Sequence, residues 1–119
     1  FLRLAFPLLF AAMKPRMKAS LKLGPGATDE SAAVVVGALQ IIDDCLANGS
    51  GYLVGDRFTR ADLTAAALLS ALTWPEEHEF MFPQEEVIPP RLLEFRARAA
   101  QTAAYPWAID LYRRHRLAR

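Results

Sequence analysis

The run from Gly51 to Leu63, Gly-Tyr-Leu-Val-Gly-Asp-Arg-Phe-Thr-Arg-Ala-Asp-Leu, constrains the fold more than any other part of the chain. It reads as a loop specified to start a buried helix. Thr59 is a natural N-cap, because its hydroxyl can accept a hydrogen bond from the backbone N–H of Asp62. Asp62, three residues on, can reach back to the Thr59 N–H and close a capping box, with Asp in place of the usual Glu. Phe58 before the cap and Leu63 just inside the helix stand where a hydrophobic staple forms. Gly55 falls where the chain must turn sharply, and glycine tolerates positive φ without a Cβ penalty. An acid in an apolar helix also invites a catalytic reading, but Thr59 at the capping distance makes Asp62 a structural residue.

Periodicity fills in the rest as helices separated by breakers. Residues 1–12 read as helix, kinked at Pro7, and residues 14–22 resume it after Pro15 until Gly24-Pro25-Gly26 ends it. Thr28 or Asp29 caps a second helix reaching about Ala47, in which Ala32, Val35, Leu39, Ile42 and Leu46 recur at three-to-four spacing. Val34-Val35-Val36 has strand propensity, which helical periodicity sustained over four turns overrides. Residues 60–73 are apolar on nearly every side, as expected of a central helix, and Trp74-Pro75 ends it. Pro90 suits the first turn of a helix over roughly 90–103, with Leu92, Leu93, Phe95 and Ala99 facing inward. Pro106 opens the last helix, with Trp107, Leu111, Tyr112 and His115 on one stripe. The fold class expected is all-α, a bundle of five or more helices.

At 119 residues the chain is sized for one compact domain, residues 1–119. Its hydrophobic content of 53% exceeds the usual ~45–50%, which suits a domain that also buries a face against a partner. No run of about 18 apolar residues exists, so no membrane span is expected. A cationic start before Leu4–Met13 imitates a signal peptide, but Lys14-Pro15-Arg16 offers no cleavage site. The single cysteine, Cys45, excludes an internal disulfide and fits a reducing cytoplasm.

A net charge of +1 conceals blocks. Arg3, Lys14, Arg16, Lys18 and Lys22 stand without an acid in residues 1–27, and Glu76, Glu77, Glu79, Glu85 and Glu86 stand without a base in residues 76–86. Arg113, Arg114, Arg116 and Arg119 make the C-terminus basic, which suits the negative end of a helix dipole. The balanced total argues against nucleic acid as a partner.

Two motifs carry a family resemblance. The run from Tyr52 to Leu63 resembles the signature of the C-terminal all-helical domain of cytosolic glutathione transferases, where a capping box opens the buried central helix. Tyr105-Pro106-Trp107, leading into a helix that ends Arg113-Arg114-His115-Arg116, resembles that family's late Tyr-Pro helix. The resemblance covers most of residues 29–119. It implies a missing partner, the N-terminal thioredoxin-like domain that binds glutathione and supplies a Ser, Tyr or Cys. No βαβ pattern is present here, and the chain opens with Phe1 inside an apolar run, as a fragment would. Further implications are a homodimer, glutathione as co-substrate of the full-length chain with no cofactor in this fragment, and a hydrophobic small molecule as acceptor. By position alone, Phe6, Leu9, Phe10 and Met13 match the family's pocket wall, with a plain core role as the alternative. The implied function is a substrate-pocket and interface domain for glutathione conjugation to hydrophobic electrophiles; a noncatalytic protein-interaction module of the same fold is the rival. No residue of this chain is expected to be catalytic, and no metal site is expected.

The remaining candidates have plain explanations. His78 lies among Glu76, Glu77 and Glu79, but adjacent loop residues do not converge on a metal by themselves. His115 completes an amphipathic edge, and Cys45 lacks a neighbouring base or helix N-terminus that would activate it. Gly24-Pro25-Gly26 follows no strand and is not a phosphate loop. Phe80, Met81 and Phe82, amid glutamates, must either fold back over the bundle or cover an apolar groove.

Overall fold

The computed structural model describes the backbone of residues 2–78 and 82–116, and the side chains of these from Phe6 onward. Phe80 and Met81 therefore lie outside the described residues. Five α-helices follow one another: α1 (Leu2–Ser20), α2 (Ala27–Leu46), α3 (Arg60–Thr73), α4 (Pro90–Ala99) and α5 (Ala104–His115), with a short 3₁₀ turn at Glu85–Val87 before α4. No strand occurs among the described residues, and the architecture is all-α. The residues gather into two compact units, Phe1–Val35 and Val36–Arg119.

The first unit holds α1 and the opening turns of α2. α1 runs unbroken through Pro7 and Pro15, so Pro15 does not interrupt it as expected. It ends at Ser20, ahead of Gly24-Pro25-Gly26. The stop is a Schellman motif: the Leu23 N–H bonds the Lys18 carbonyl at 2.8 Å and the Lys22 N–H bonds the Ala19 carbonyl at 3.1 Å. Lys22, at φ 55°, takes the left-handed position that glycine usually fills. α2 starts at Ala27, one residue before the expected caps. Thr28 is thus inside the helix, and Asp29 and Glu30 complement the positive end of its dipole.

The second unit carries the core. α3 packs directly against α5. Ala66, Leu69 and Leu72 of α3 are buried, as are Trp107, Ala108 and Leu111 of α5, Leu39 of α2 and Ala99 of α4. α3 is not enclosed on every side: Leu63 and Leu68 are exposed although the whole helix is apolar. It ends at Trp74, whose left-handed backbone (φ 49°) returns its N–H to the Ser70 carbonyl at 3.0 Å. α4 stops at Ala99, four residues short of the expected end. The chain there tightens to i→i+3 bonds, Gln101 N–H to Arg98 carbonyl and Thr102 N–H to Ala99 carbonyl, and the Thr102 hydroxyl takes the same Ala99 carbonyl at 2.7 Å. A threonine that bonds the backbone locally competes with helix continuation. α5 begins at Ala104, so Pro106 sits in its first turn, where a missing N–H costs nothing.

Candidate functional site

The best-built polar group in the chain is the Asp62 carboxylate, which is fully buried. Its Oδ2 accepts the Thr59 N–H at 2.8 Å and the Thr59 hydroxyl at 3.0 Å, and its Oδ1 accepts the Leu53 N–H at 2.8 Å. The forward limb of the box, from the Asp62 N–H toward Thr59 Oγ1, closes without reaching strict hydrogen-bond geometry. The acid is therefore the principal cap and the hydroxyl its donor. Burial acts to raise the carboxyl pKa, but the hydrogen bonds from Leu53 and Thr59 outweigh it and hold the group below its ordinary value. Committed to three donors and closed to solvent, this carboxylate has no proton to give to a substrate.

The loop is folded to deliver those donors. Gly51 (φ 80°) and Gly55 (φ 67°) place two left-handed turns on either side of Leu53, which brings its N–H back to Asp62. Trp107 of α5 fixes the loop from outside, donating its indole N–H to the Gly51 carbonyl at 2.9 Å. Phe58 and Leu63 come to the same apolar hollow, about 220 Å³, shared with Ala66, Ala67, Leu111 and Tyr112. The ring that Phe58 stacks on is His115, 4.0 Å away at 14°.

Phe6, Leu9, Phe10 and Met13 follow one another along α1 at three-to-four spacing. All are well exposed (66, 59, 49 and 46%), with Phe6 stacked on Phe10 at 6.1 Å. Nothing within the first unit covers this strip. His78 lies against Phe82 (5.2 Å) and Tyr112 (5.7 Å), and Phe82 folds back onto Trp74 at 5.8 Å. Cys45 is half-buried. Among the described residues no group of three His, Cys, Asp or Glu side chains is placed to hold a metal ion, and no helix is long and apolar enough to cross a membrane.

Two residues that sequence reasoning passed over tie the second unit together. Asp43 of α2 accepts the Ala104 N–H at 2.7 Å and so caps α5 from a distant part of the chain. Arg96 of α4 lies 3.5 Å over the Trp74 ring, donates to the Leu72 carbonyl at 2.8 Å and to the Tyr105 hydroxyl at 3.1 Å, and approaches Glu85 at 3.9 Å. It thereby satisfies an end carbonyl of α3 while bracing the αL turn at Trp74. Asp43 follows the buried Leu39 by four residues and so interrupts the inward stripe of α2, which marks the residue but not its partner; Arg96 follows Leu92, which is exposed rather than inward-facing as expected, and has no such mark.

The fold is thus an all-helical domain whose α3 opens on a sealed Asp–Thr box. The family description that matches is the glutathione S-transferase C-terminal domain, over residues 5–101. The chain belongs to that family. The match contains the box and the whole of α1 to α4 after Ala5, while α5 lies beyond it. No curated protein and no solved structure matches the chain significantly.

Proposed function

We propose that this chain is the helical half of a glutathione transferase-like protein. In the full-length chain it would contribute the apolar wall of an electrophile pocket and an interface to a thioredoxin-like domain and a second subunit. The observation that carries the reading is the strip of Phe6, Leu9, Phe10 and Met13, exposed in a chain that belongs to this family and lying where its pocket wall falls by position. Side chains of this kind suit a hydrophobic electrophile, and a thiolate nucleophile would have to come from glutathione held elsewhere. Asp62, Asp43 and Arg96 of the second unit are engaged in capping and clamping, which agrees with a supporting rather than a catalytic half.

Calorimetric titration of glutathione tests the proposal on two samples, residues 1–119 and the complete product of the gene. Binding is expected only in the second. Absence of binding in both favours the rival reading, a noncatalytic protein-interaction module of the same fold. Binding to residues 1–119 alone would show that the division of labour is wrong.

A further inference from the structure

The cleft between α2 and α4 in the second unit takes no part in the proposed role, and its chemistry is different from that of the α1 strip. Val36, Leu39 and Gln40 face it from α2, and Phe95, Arg98, Ala99 and Thr102 from α4 and the turn after it. The spacings, 36-39-40 and 95-98-99-102, are those of single helical faces, so the lining is a direct product of the two helices. Leu39 and Ala99 are buried and make an apolar floor. The volume, about 260 Å³, is at the lower edge of the ~300–1,000 Å³ of ordinary ligand pockets, which restricts an occupant to a small molecule.

The rim carries a guanidinium, Arg98, and a carboxamide, Gln40. Among the described residues no carboxylate pairs with Arg98, although Glu94 stands one turn before it. The Arg98 guanidinium instead rests 5.8 Å from the Phe95 ring. Gln40 gives one amide hydrogen to Asp44 Oδ1 at 3.0 Å and keeps the other. The Thr102 hydroxyl is spent on the Ala99 carbonyl, so the guanidinium and the amide are what a ligand would meet. A planar guanidinium favours a carboxylate, and the floor favours hydrocarbon.

We propose that this cleft binds a small amphipathic anion, a carboxylate on a short apolar tail, with Arg98 and Gln40 on the head group and Val36, Leu39 and Phe95 around the tail. Octanoate is the probe, titrated into the full 119-residue chain and followed by backbone amide shifts. Shifts are expected to concentrate at residues 36–40 and 95–102. Arg98→Gln, at an exposed position, should weaken octanoate about fivefold while leaving the fold intact. Octanol should bind more weakly than octanoate and be indifferent to Arg98→Gln. Val36→Trp, also at an exposed position, should fill the cleft and abolish the shifts of both. Asp44→Asn, which removes the opposing charge on α2, should tighten octanoate by about twofold. Shifts centred elsewhere, equal affinity for octanol and octanoate, or an Arg98→Gln chain that binds octanoate as well as the native one would overturn the proposal.

Discussion

Replacing Asp62 with alanine removes the acceptor for two backbone N–H groups, those of Leu53 and Thr59, at a position with no access to water. A buried donor left without a partner costs about 1–3 kcal/mol. Two such donors, less the relief of no longer burying a charge, give an expected loss of about 3–4 kcal/mol. Against a typical domain stability of roughly 5–15 kcal/mol, that is a large fraction. Asp62→Asn keeps the shape but turns an N–H toward one of the two donors, so about half the loss is expected. Thr59→Ala deletes the hydroxyl while the Thr59 N–H still reaches Asp62, and about 1 kcal/mol is expected. Urea unfolding followed by far-UV circular dichroism measures all three. The pH dependence has a definite sign. The folded carboxyl titrates below its unfolded value, so its stabilising contribution is complete above the unfolded value of about 3.9 and is lost as pH falls from there through the folded pKa. The gap between native and Asp62→Asn chains should therefore be constant near neutrality and narrow only in acid. Equal midpoints for native and Asp62→Ala, or a gap that widens in acid, would refute the capping account.

Asp43→Ala should destabilise the chain by about 1 kcal/mol and loosen α5 first, seen as faster amide exchange at Ala104 and the residues after it. Arg96→Lys keeps the charge but loses the planar stack on Trp74 and one of the two directed hydrogen bonds, with an expected loss of about 1–2 kcal/mol by thermal unfolding. The exposed strip of α1 should make the chain self-associate at micromolar concentration, and light scattering should show that Phe10→Glu reverses it.

What could be read in the sequence was what is local in the chain. The Thr59–Asp62 box, the helix that follows it and its stop at Trp74 depend on residues within a few positions of one another, and α3 runs Arg60–Thr73 as the pattern indicates. Val34-Val35-Val36 is helical because the apolar stripe of α2 continues through it. The pairings that join separate segments were not legible. Asp43 caps α5 across 61 positions, and Arg96 reaches the α3 carbonyl across 24. Neither spacing carries a signal, because only the folded core brings the partners together. Even at the box, the Leu53 N–H arrives on Asp62 from nine residues upstream, which makes the acid rather than the threonine dominant. On α1 the apolar strip is visible in the sequence, and the structure adds that its own unit leaves it uncovered. α4 ends at Ala99, short of the roughly 103 that periodicity indicates, where the Thr102 hydroxyl takes the Ala99 carbonyl, a local effect that periodicity does not weigh.

The most direct measurement is glutathione conjugation to a generic aromatic electrophile, run in parallel on residues 1–119 and on the complete gene product. The expected result is conjugation by the complete protein, lost when a charge is placed on the strip by Phe10→Glu, and none above the buffer rate by residues 1–119. Conjugation by residues 1–119, or a complete protein that binds glutathione yet is unaffected by changes at Phe6, Leu9, Phe10 and Met13, would contradict the assignment of this chain as the pocket-wall half.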